Sequence, residues 1–202
     1  MRCIPKCDLL ASLHRYNFKM KFYFFILCWI TSAINSFGYE AMHEKTPVGT
    51  IKILNLPERT ALEASSKVSY FDENNGLFRK LFRYISANDI SMTTPVEADI
   101  TPGKMRFFVG AEDLGKKFTD TREVKIKSLS SLTVVAIGIR GSYTKARFLE
   151  NEEKLYHWLS ENKKFEKAGE TYAVYWDGPF LPGLLKRSEI HLPIQKKQNN
   201  NN

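Results

Sequence analysis

The order of hydrophobic and polar positions predicts two helices set among strands. Leu77, Leu81 and Ile85 recur at the 3.6-residue period of a helix, while other stretches alternate or run continuously apolar, as strands do. Gly138 and Gly141 are predicted breakers of the strand at 123–139. The predicted helices are 74–87 and 144–162, and the predicted strands are 50–65, 91–100, 104–110, 123–139, 171–176 and 188–194.

Two short segments recur at nearly one distance along the chain. Residues 51–56 are similar to residues 124–129, at an offset of 73, and residues 80–85 are similar to residues 154–159, at an offset of 74. Each half then reads as strand, helix, strand, strand. We therefore predict an α+β fold in which two duplicated halves pack as one domain, with two antiparallel sheets and a helix on each.

The chain begins with a pattern typical of a secretory signal peptide. A cationic start precedes an apolar run at 22–34, which is too short to span a bilayer comfortably, and small residues follow. We predict cleavage between Gly38 and Tyr39 and a secreted or periplasmic location. An uncleaved signal anchor is the alternative. Met20 is a candidate start if residues 1–19 are an upstream extension.

These boundaries divide the chain into three segments: an extension and signal peptide at 1–38, a folded domain at 39–194, and a polar tail at 195–202 that is expected to be disordered. The cysteines all lie in the first segment: Cys3, Cys7 and Cys28. The mature chain would therefore have no disulfide, no thiolate metal site and no cysteine nucleophile.

Composition and charge exclude several function classes. The chain is 43% hydrophobic and 26% charged, which is ordinary for a globular protein. Half of its net charge of +8 falls in residues 1–38, and the rest of the chain has no basic run, so we expect no nucleic-acid binding. No phosphate loop, catalytic Ser/His/Asp set or metal-ligand spacing is present. We expect a monomeric binding protein rather than an enzyme.

Two separated motifs resemble the signatures of the SOUL haem-binding protein family. Residues 90–96 (ISMTTPV) resemble its Met-Thr-x-Pro-Val signature, and residues 177–182 (DGPFLP) with 186–190 (KRSEI) resemble its second signature. The resemblance extends over residues 48–194. It implies a distorted antiparallel β-barrel with two main helices, and haem as ligand. The chain departs from the family at residues 50–53, where a Tyr-Glu-Val-Arg-like sequence is common.

The resemblance implies a haem site along the first predicted helix. Phe78 and Phe82 lie at one edge of its apolar stripe, and Arg79 and Arg83 come next around the helix. Haem is a flat apolar ring with two carboxylates, which suits an aromatic edge beside guanidinium groups. Arg83 matches a basic family position implicated in propionate contact, and Phe82 matches an apolar pocket position. The predicted haem-binding residues are Phe78, Arg79, Phe82, Arg83, Met92, Leu181 and Lys186.

Axial ligation of the haem iron has no strong candidate. His191 alternates with Ile190 and Leu192 and therefore takes the other face of its strand, His43 lies in the leading segment, and Met92 lies in the first signature. No paired-histidine spacing is present. We expect non-covalent protoporphyrin IX haem, held by its faces and propionates and exchanged reversibly, as in a carrier or buffer.

The same duplicated plan also resembles the effector-binding domains of GyrI-like multidrug-sensing regulators. Those domains bind flat, often cationic molecules and use a buried glutamate from a late strand, which Glu189 matches here. Tyr172 and Trp176 would line that alternative pocket. Arg83 beside Phe82 favours an anionic porphyrin, whereas Glu189 among aromatic side chains favours a cation. A protein that binds a macromolecular partner and no small ligand is the third alternative.

Overall fold

The computed structural model describes residues 40–178 and 180–198; the predicted signal peptide, its cleavage site and the cysteines lie outside the described residues. The described part forms two α-helices: α1 (Tyr70–Ala87) and α2 (Lys145–Glu161). Its strands are β1 (Glu40–Ala41), β2 (Ile51–Leu56), β3 (Arg59–Ser65), β4 (Thr93–Thr94), β5 (Val96–Asp99), β6 (Lys104–Phe108), β7 (Lys125–Leu129), β8 (Leu132–Arg140), β9 (Phe165–Lys167), β10 (Tyr172–Tyr175) and β11 (Arg187–Lys196). Neither helix has the length and apolar character needed to cross a membrane.

The strand order confirms the predicted α+β class with duplicated halves. Eight strands form one curled antiparallel sheet in the order β2-β8-β11-β10-β5-β6-β3-β7, and β9 pairs with β11 off this path. The order β8-β11-β10 mirrors the order β3-β6-β5, and the two sets join through the β10–β5 pair. The repeated segments at 51–56 and 124–129 are the two edge strands, β2 and β7. The two predicted sheets are therefore hydrogen-bonded into one.

Helix α1 begins four residues earlier than predicted, at Tyr70. Ser69 caps the helix because its hydroxyl accepts a hydrogen bond from the backbone N–H of Phe71. The first turn departs from helical geometry at Glu73, where φ is −136°. The polar residues of this irregular turn interrupt the apolar period, and the sequence pattern therefore places the helix start too late.

Two long predicted strands are each divided in the structure. Residues 50–65 form β2 and β3, and residues 123–139 form β7 and β8, which are separated by residues 130–131. The members of each pair lie far apart in the sheet, because β2 pairs with β8 and β7 pairs with β3. The two halves thus exchange their edge strands. Gly141, with φ of +123°, follows the end of β8 as predicted, but Gly138 lies inside the strand and does not break it.

The two faces of the sheet have different partners. Helices α1 and α2 pack over one face, where Leu77, Leu81 and Leu155 are fully buried. Ile190 and Leu192 of β11 belong to this core. Alternate residues of the same strand point to the opposite side, which we call the helix-free face because neither helix packs there. A smaller apolar cluster lies on it: Leu56, Val134, Tyr172, Val174 and Trp176.

Candidate functional site

The first candidate site is the aromatic-basic face of α1, formed by Phe78, Arg79, Phe82 and Arg83. The rings of Phe78 and Phe82 are stacked, with centroids 5.9 Å apart and planes at 12°. Phe78 is half-buried against Phe107, at a centroid distance of 5.5 Å, whereas Phe82 is 51% exposed. The pair therefore presents one aromatic surface to solvent on a firmly packed base.

Both arginines of the aromatic-basic face are exposed. The guanidinium of Arg83 contacts the carboxylate of Glu123 at 3.1 Å, with the two side chains 70% and 45% exposed. An ion pair this exposed is worth at most about 1 kcal/mol, because water screens both charges. Arg83 can therefore exchange Glu123 for another carboxylate at little cost.

The remaining predicted haem contacts lie elsewhere on the molecule. Met92 is half-buried against the helix-side core. Leu181 is 37% exposed in the loop before β11, and the ammonium of Lys186 lies 5.0 Å from the centre of the Tyr143 ring. This loop is held at its base, where the Asp177 carboxylate accepts from the Arg187 backbone N–H. The structure brings the first four predicted residues together and places these three on other neighbours.

The second candidate site is a buried carboxylate on the helix-free face. Glu189 is 1% exposed and accepts four hydrogen bonds. The Thr46 backbone N–H donates to Oε1 and the Thr46 hydroxyl to Oε2, each at 2.8 Å. The Trp176 Nε1–H donates at 2.7 Å and the His191 Nε2–H at 2.9 Å. The other ring nitrogen of His191 lies 3.2 Å from the Tyr172 hydroxyl, so both nitrogens are engaged within the protein.

Glu189 is ionised at neutral pH. Burial by itself raises the pKa of a carboxyl group, but the hydrogen bond and charge of His191, together with the two donors of Thr46, outweigh it. The pKa of Glu189 is held at about 2. A fixed negative charge therefore lies on the helix-free face, beside the indole of Trp176.

A segment at 42–48, which we call the strap, covers this carboxylate. His43 inserts between two rings, with its centroid 5.0 Å from that of Trp176 and 5.6 Å from that of His191. Burial lowers the pKa of His43 below its ordinary value, and the neighbouring His191 adds to this effect against the hydrogen bond to the Glu44 carbonyl. The ammonium of Lys45 lies 5.2 Å from the centre of the Trp176 ring.

The strap is seated through its backbone. A Cβ atom at Gly138 would lie 2.3 Å from the Thr46 carbonyl oxygen and 2.4 Å from that of Pro47, so only glycine permits this approach. The Arg187 guanidinium donates to the Thr46 carbonyl at 2.9 Å. At the other end, the Met42 backbone N–H donates to the carbonyl of residue 94 at 2.8 Å.

In the other duplicated half, the charged group at the equivalent position of the helix-free face finds all its partners on neighbouring strands. Arg106 occupies the position in β6 that Glu189 occupies in β11, and it pairs in register with Glu97 and Glu63. Its guanidinium contacts Glu63 at 2.7 Å and Asp99 at 2.8 and 2.5 Å. Arg106 therefore needs no partner from outside the sheet, in contrast to Glu189.

The structure brings the residues of the alternative pocket together and places them far from the predicted haem-binding residues of α1. Glu189, Tyr172 and Trp176, the alternative pocket residues, lie together on the helix-free face, and the weak axial candidates His191 and His43 lie with them. This is the opposite side of the sheet from α1. Within the described residues, no group of three or more histidine, cysteine, aspartate or glutamate side chains could hold a metal ion.

Sequence reasoning missed two residues of the second site, Thr46 and Gly138. Thr46 lies 143 positions from its partner Glu189 and carries no local signal. Gly138 did carry one, because a glycine inside an apolar strand pattern often marks the close approach of another backbone.

The sheet order and the two helices define a duplicated α+β domain with one curled antiparallel sheet. The model of the SOUL heme-binding protein family matches residues 35–193, and the chain belongs to this family. Members of this family are binding proteins rather than enzymes. No curated protein sequence matches the chain.

Several solved structures share the fold at low sequence identity. The C-terminal domain of EcmrR superposes with a TM-score of 0.60 at 15% identity, over 73% of this chain and 98% of that domain. EcmrR in its complex with DNA gives 0.60 at 12% identity, over 95% of this chain and 74% of that one. A hydrolase from Listeria innocua gives 0.51 at 12% identity, over 74% and 94%. Identities this low establish the fold alone.

Proposed function

We propose that the protein binds haem or a related tetrapyrrole reversibly on the aromatic-basic face of α1, as a carrier or buffer. Family membership supports a haem ligand. The observation that carries the proposal is the half-exposed ring of Phe82, stacked on Phe78 beside two exposed arginines. A porphyrin lying on these rings buries apolar area and places its propionates near cations.

The proposed site is open, so we expect modest affinity. A ligand on a flat surface buries one face only and leaves the other in water, in contrast to a ligand enclosed in a pocket. Met92, Leu181 and Lys186 lie on other neighbours, so the proposed site does not depend on them. No histidine lies on the aromatic-basic face, so we expect the porphyrin ring and propionates, rather than the iron, to dominate binding.

A spectral titration of the purified chain with hemin and with iron-free protoporphyrin IX tests this proposal. We expect saturable one-to-one binding of both. Arg83→Glu should weaken binding of both about tenfold, because it reverses the charge next to the propionates. Lys163→Glu, which makes the same charge change at an exposed site after α2, is the matched control and should change little. Unchanged affinity in folded Arg83→Glu removes Arg83 from the site, and saturation with neither ligand overturns the proposal.

We propose a second candidate function, the binding of a flat organic cation at Glu189. The observation in its favour is an ionised, fully buried carboxylate beside the indole of Trp176 and near the ring of Tyr172. A cation at this position would gain both the charge of Glu189 and the aromatic faces. Glu189→Gln keeps the shape of the side chain and removes the charge, so it should abolish cation binding and leave tetrapyrrole binding unchanged.

We also propose that the protein acts outside the cytoplasm after removal of residues 1–38. The apolar run at 22–34 and the small residues that follow support this proposal. Amino-terminal sequencing of the exported protein should give Tyr39 as the first residue. A retained amino terminus in a membrane fraction would indicate an uncleaved anchor.

A further inference from the structure

The strap presents Glu189 with a bidentate pair of donors. The Thr46 backbone N–H reaches one carboxylate oxygen and the Thr46 hydroxyl the other, each at 2.8 Å. Two parallel donors on the two oxygens of a carboxylate are also what an amidinium or guanidinium group supplies, with a positive charge in addition. Thr46 therefore occupies the position that such a cation would take.

Other parts of the strap occupy the aromatic side of the same site. The His43 ring stands edge-on to Trp176, and the Lys45 ammonium lies over the Trp176 ring at 5.2 Å. A flat aromatic ring joined to a cation would make both kinds of contact at once. Through Thr46, His43 and Lys45, the strap thus makes each interaction that is expected of an aromatic amidinium.

Two buried nitrogen atoms at this site have no hydrogen-bond partner while the strap is in place. His43 Nε2 and Arg187 Nε are buried and have no hydrogen-bond partner. Glu189 keeps its bonds from Trp176 and His191 if the strap leaves, because both of those donors belong to the sheet region and not to the strap. The carboxylate then lacks two of its four donors, so a ligand with two N–H groups and a positive charge replaces the strap better than a neutral molecule does.

We propose that the strap is a built-in, displaceable occupant of the Glu189 site, and that aromatic cations of the amidinium type bind by competing with it. This inference rests on the second candidate function and adds its regulation and ligand class. Affinity for the cation is reduced by the fraction of molecules in which the strap is seated. Loosening the strap therefore raises the apparent affinity without changing any residue that contacts the ligand.

Gly138→Ala is the sharpest test, because its added Cβ collides with the carbonyl oxygens of Thr46 and Pro47 in the strap and leaves Trp176 and His191, the donors outside the strap, unchanged. Gly115→Ala is the matched control, since a Cβ at Gly115 meets nothing within 4 Å. Thr46→Ala is a second variant that removes one donor without adding bulk, in case Gly138→Ala does not fold. Each full-length variant is titrated calorimetrically with benzamidine, and with benzamide as the neutral probe of similar shape.

We expect Gly138→Ala to bind benzamidine at least about tenfold more tightly than the wild type and Thr46→Ala to bind it about threefold more tightly, while Gly115→Ala matches the wild type. Glu189→Gln should not bind it, and benzamide should bind no variant. Amide hydrogen exchange at Thr46 and Gly49 should accelerate in Gly138→Ala and, in the wild type, on addition of benzamidine.

The outcomes distinguish the cation site at Glu189 from the competition between the strap and the cation. Equal benzamidine affinity in the wild type, Gly138→Ala and Thr46→Ala, abolished by Glu189→Gln, leaves the cation site in place and overturns the strap as its competitor. No binding by Gly138→Ala, when exchange shows that the strap has been released, overturns the cation site itself. Binding that survives Glu189→Gln overturns both.

Discussion

The aromatic-basic face of α1 presents arginines, whereas the helix-free face presents the carboxylate of Glu189. The two faces also differ in how many hydrogen-bond and ion-pair partners these charged groups have within the protein. On α1, Phe82 is half exposed and Arg83 has one weakly held partner. On the helix-free face, Glu189 is buried and accepts four hydrogen bonds, two of them from the strap. The first face can accept an anionic planar ligand without rearrangement, whereas the second must first lose a partner.

The largest expected difference between the two faces is in folding stability. Glu189→Ala leaves the donors of Thr46, Trp176 and His191 without an acceptor, and we expect a loss of about 3–5 kcal/mol in the free energy of unfolding. Phe82→Ala removes a ring that is already half in water and should cost about 1 kcal/mol. Urea denaturation measures both. Equal losses would mean that the two faces do not differ as described.

The stability of the helix-free face should depend on pH. Because the pKa of His43 is lowered from 6.5 in the folded protein, the unfolded chain takes up more protons as the pH falls below that value, and stability falls with it. Glu189 adds a second loss between pH 4.5 and about 2, since its folded pKa is also lowered. His43→Phe should flatten the first loss only, as urea denaturation from about pH 8 to 5 would show. A profile unchanged by His43→Phe would contradict the inserted, neutral histidine.

A smaller effect should appear on α1. Glu123→Gln releases Arg83 from its exposed ion pair, and we expect tetrapyrrole affinity to rise about twofold while stability changes by less than about 0.5 kcal/mol. The hemin titration and urea denaturation of this variant measure the two quantities. Glu161→Gln, which makes the same change at an exposed residue of α2, serves as control. A fall in affinity would mean that Glu123 supports the site rather than competing for Arg83.

The sequence predicted the parts of this molecule that depend on local pattern. The apolar periods of α1 and α2 and the two repeated segments were enough for the α+β class and its duplication. Alternation along β11 correctly put Glu189 and His191 on one face and Ile190 and Leu192 on the other. These features follow from the fixed side-chain periods of helices and strands.

Contacts between residues far apart in the sequence could not be predicted from such patterns. Nothing near Thr46 in the sequence indicates that it meets Glu189, because the contact depends on the way the curled sheet brings β8, β11 and the strap together. The exchange of β2 and β7 between halves has no local signal either, because the apolar pattern continues from each of these strands into the next one. The contacts of Leu181 and Lys186 depend on loop geometry, which no periodicity specifies.

The most direct test of the central claim is a residue-resolved map of amide chemical shifts in the full chain, titrated with iron-free protoporphyrin IX. This ligand is diamagnetic and reports binding by its ring and propionates alone. We predict shifts concentrated at residues 78–83 of α1, with the strap at 42–48 unchanged. Shifts concentrated in the strap and at Glu189, with α1 unaffected, would contradict it.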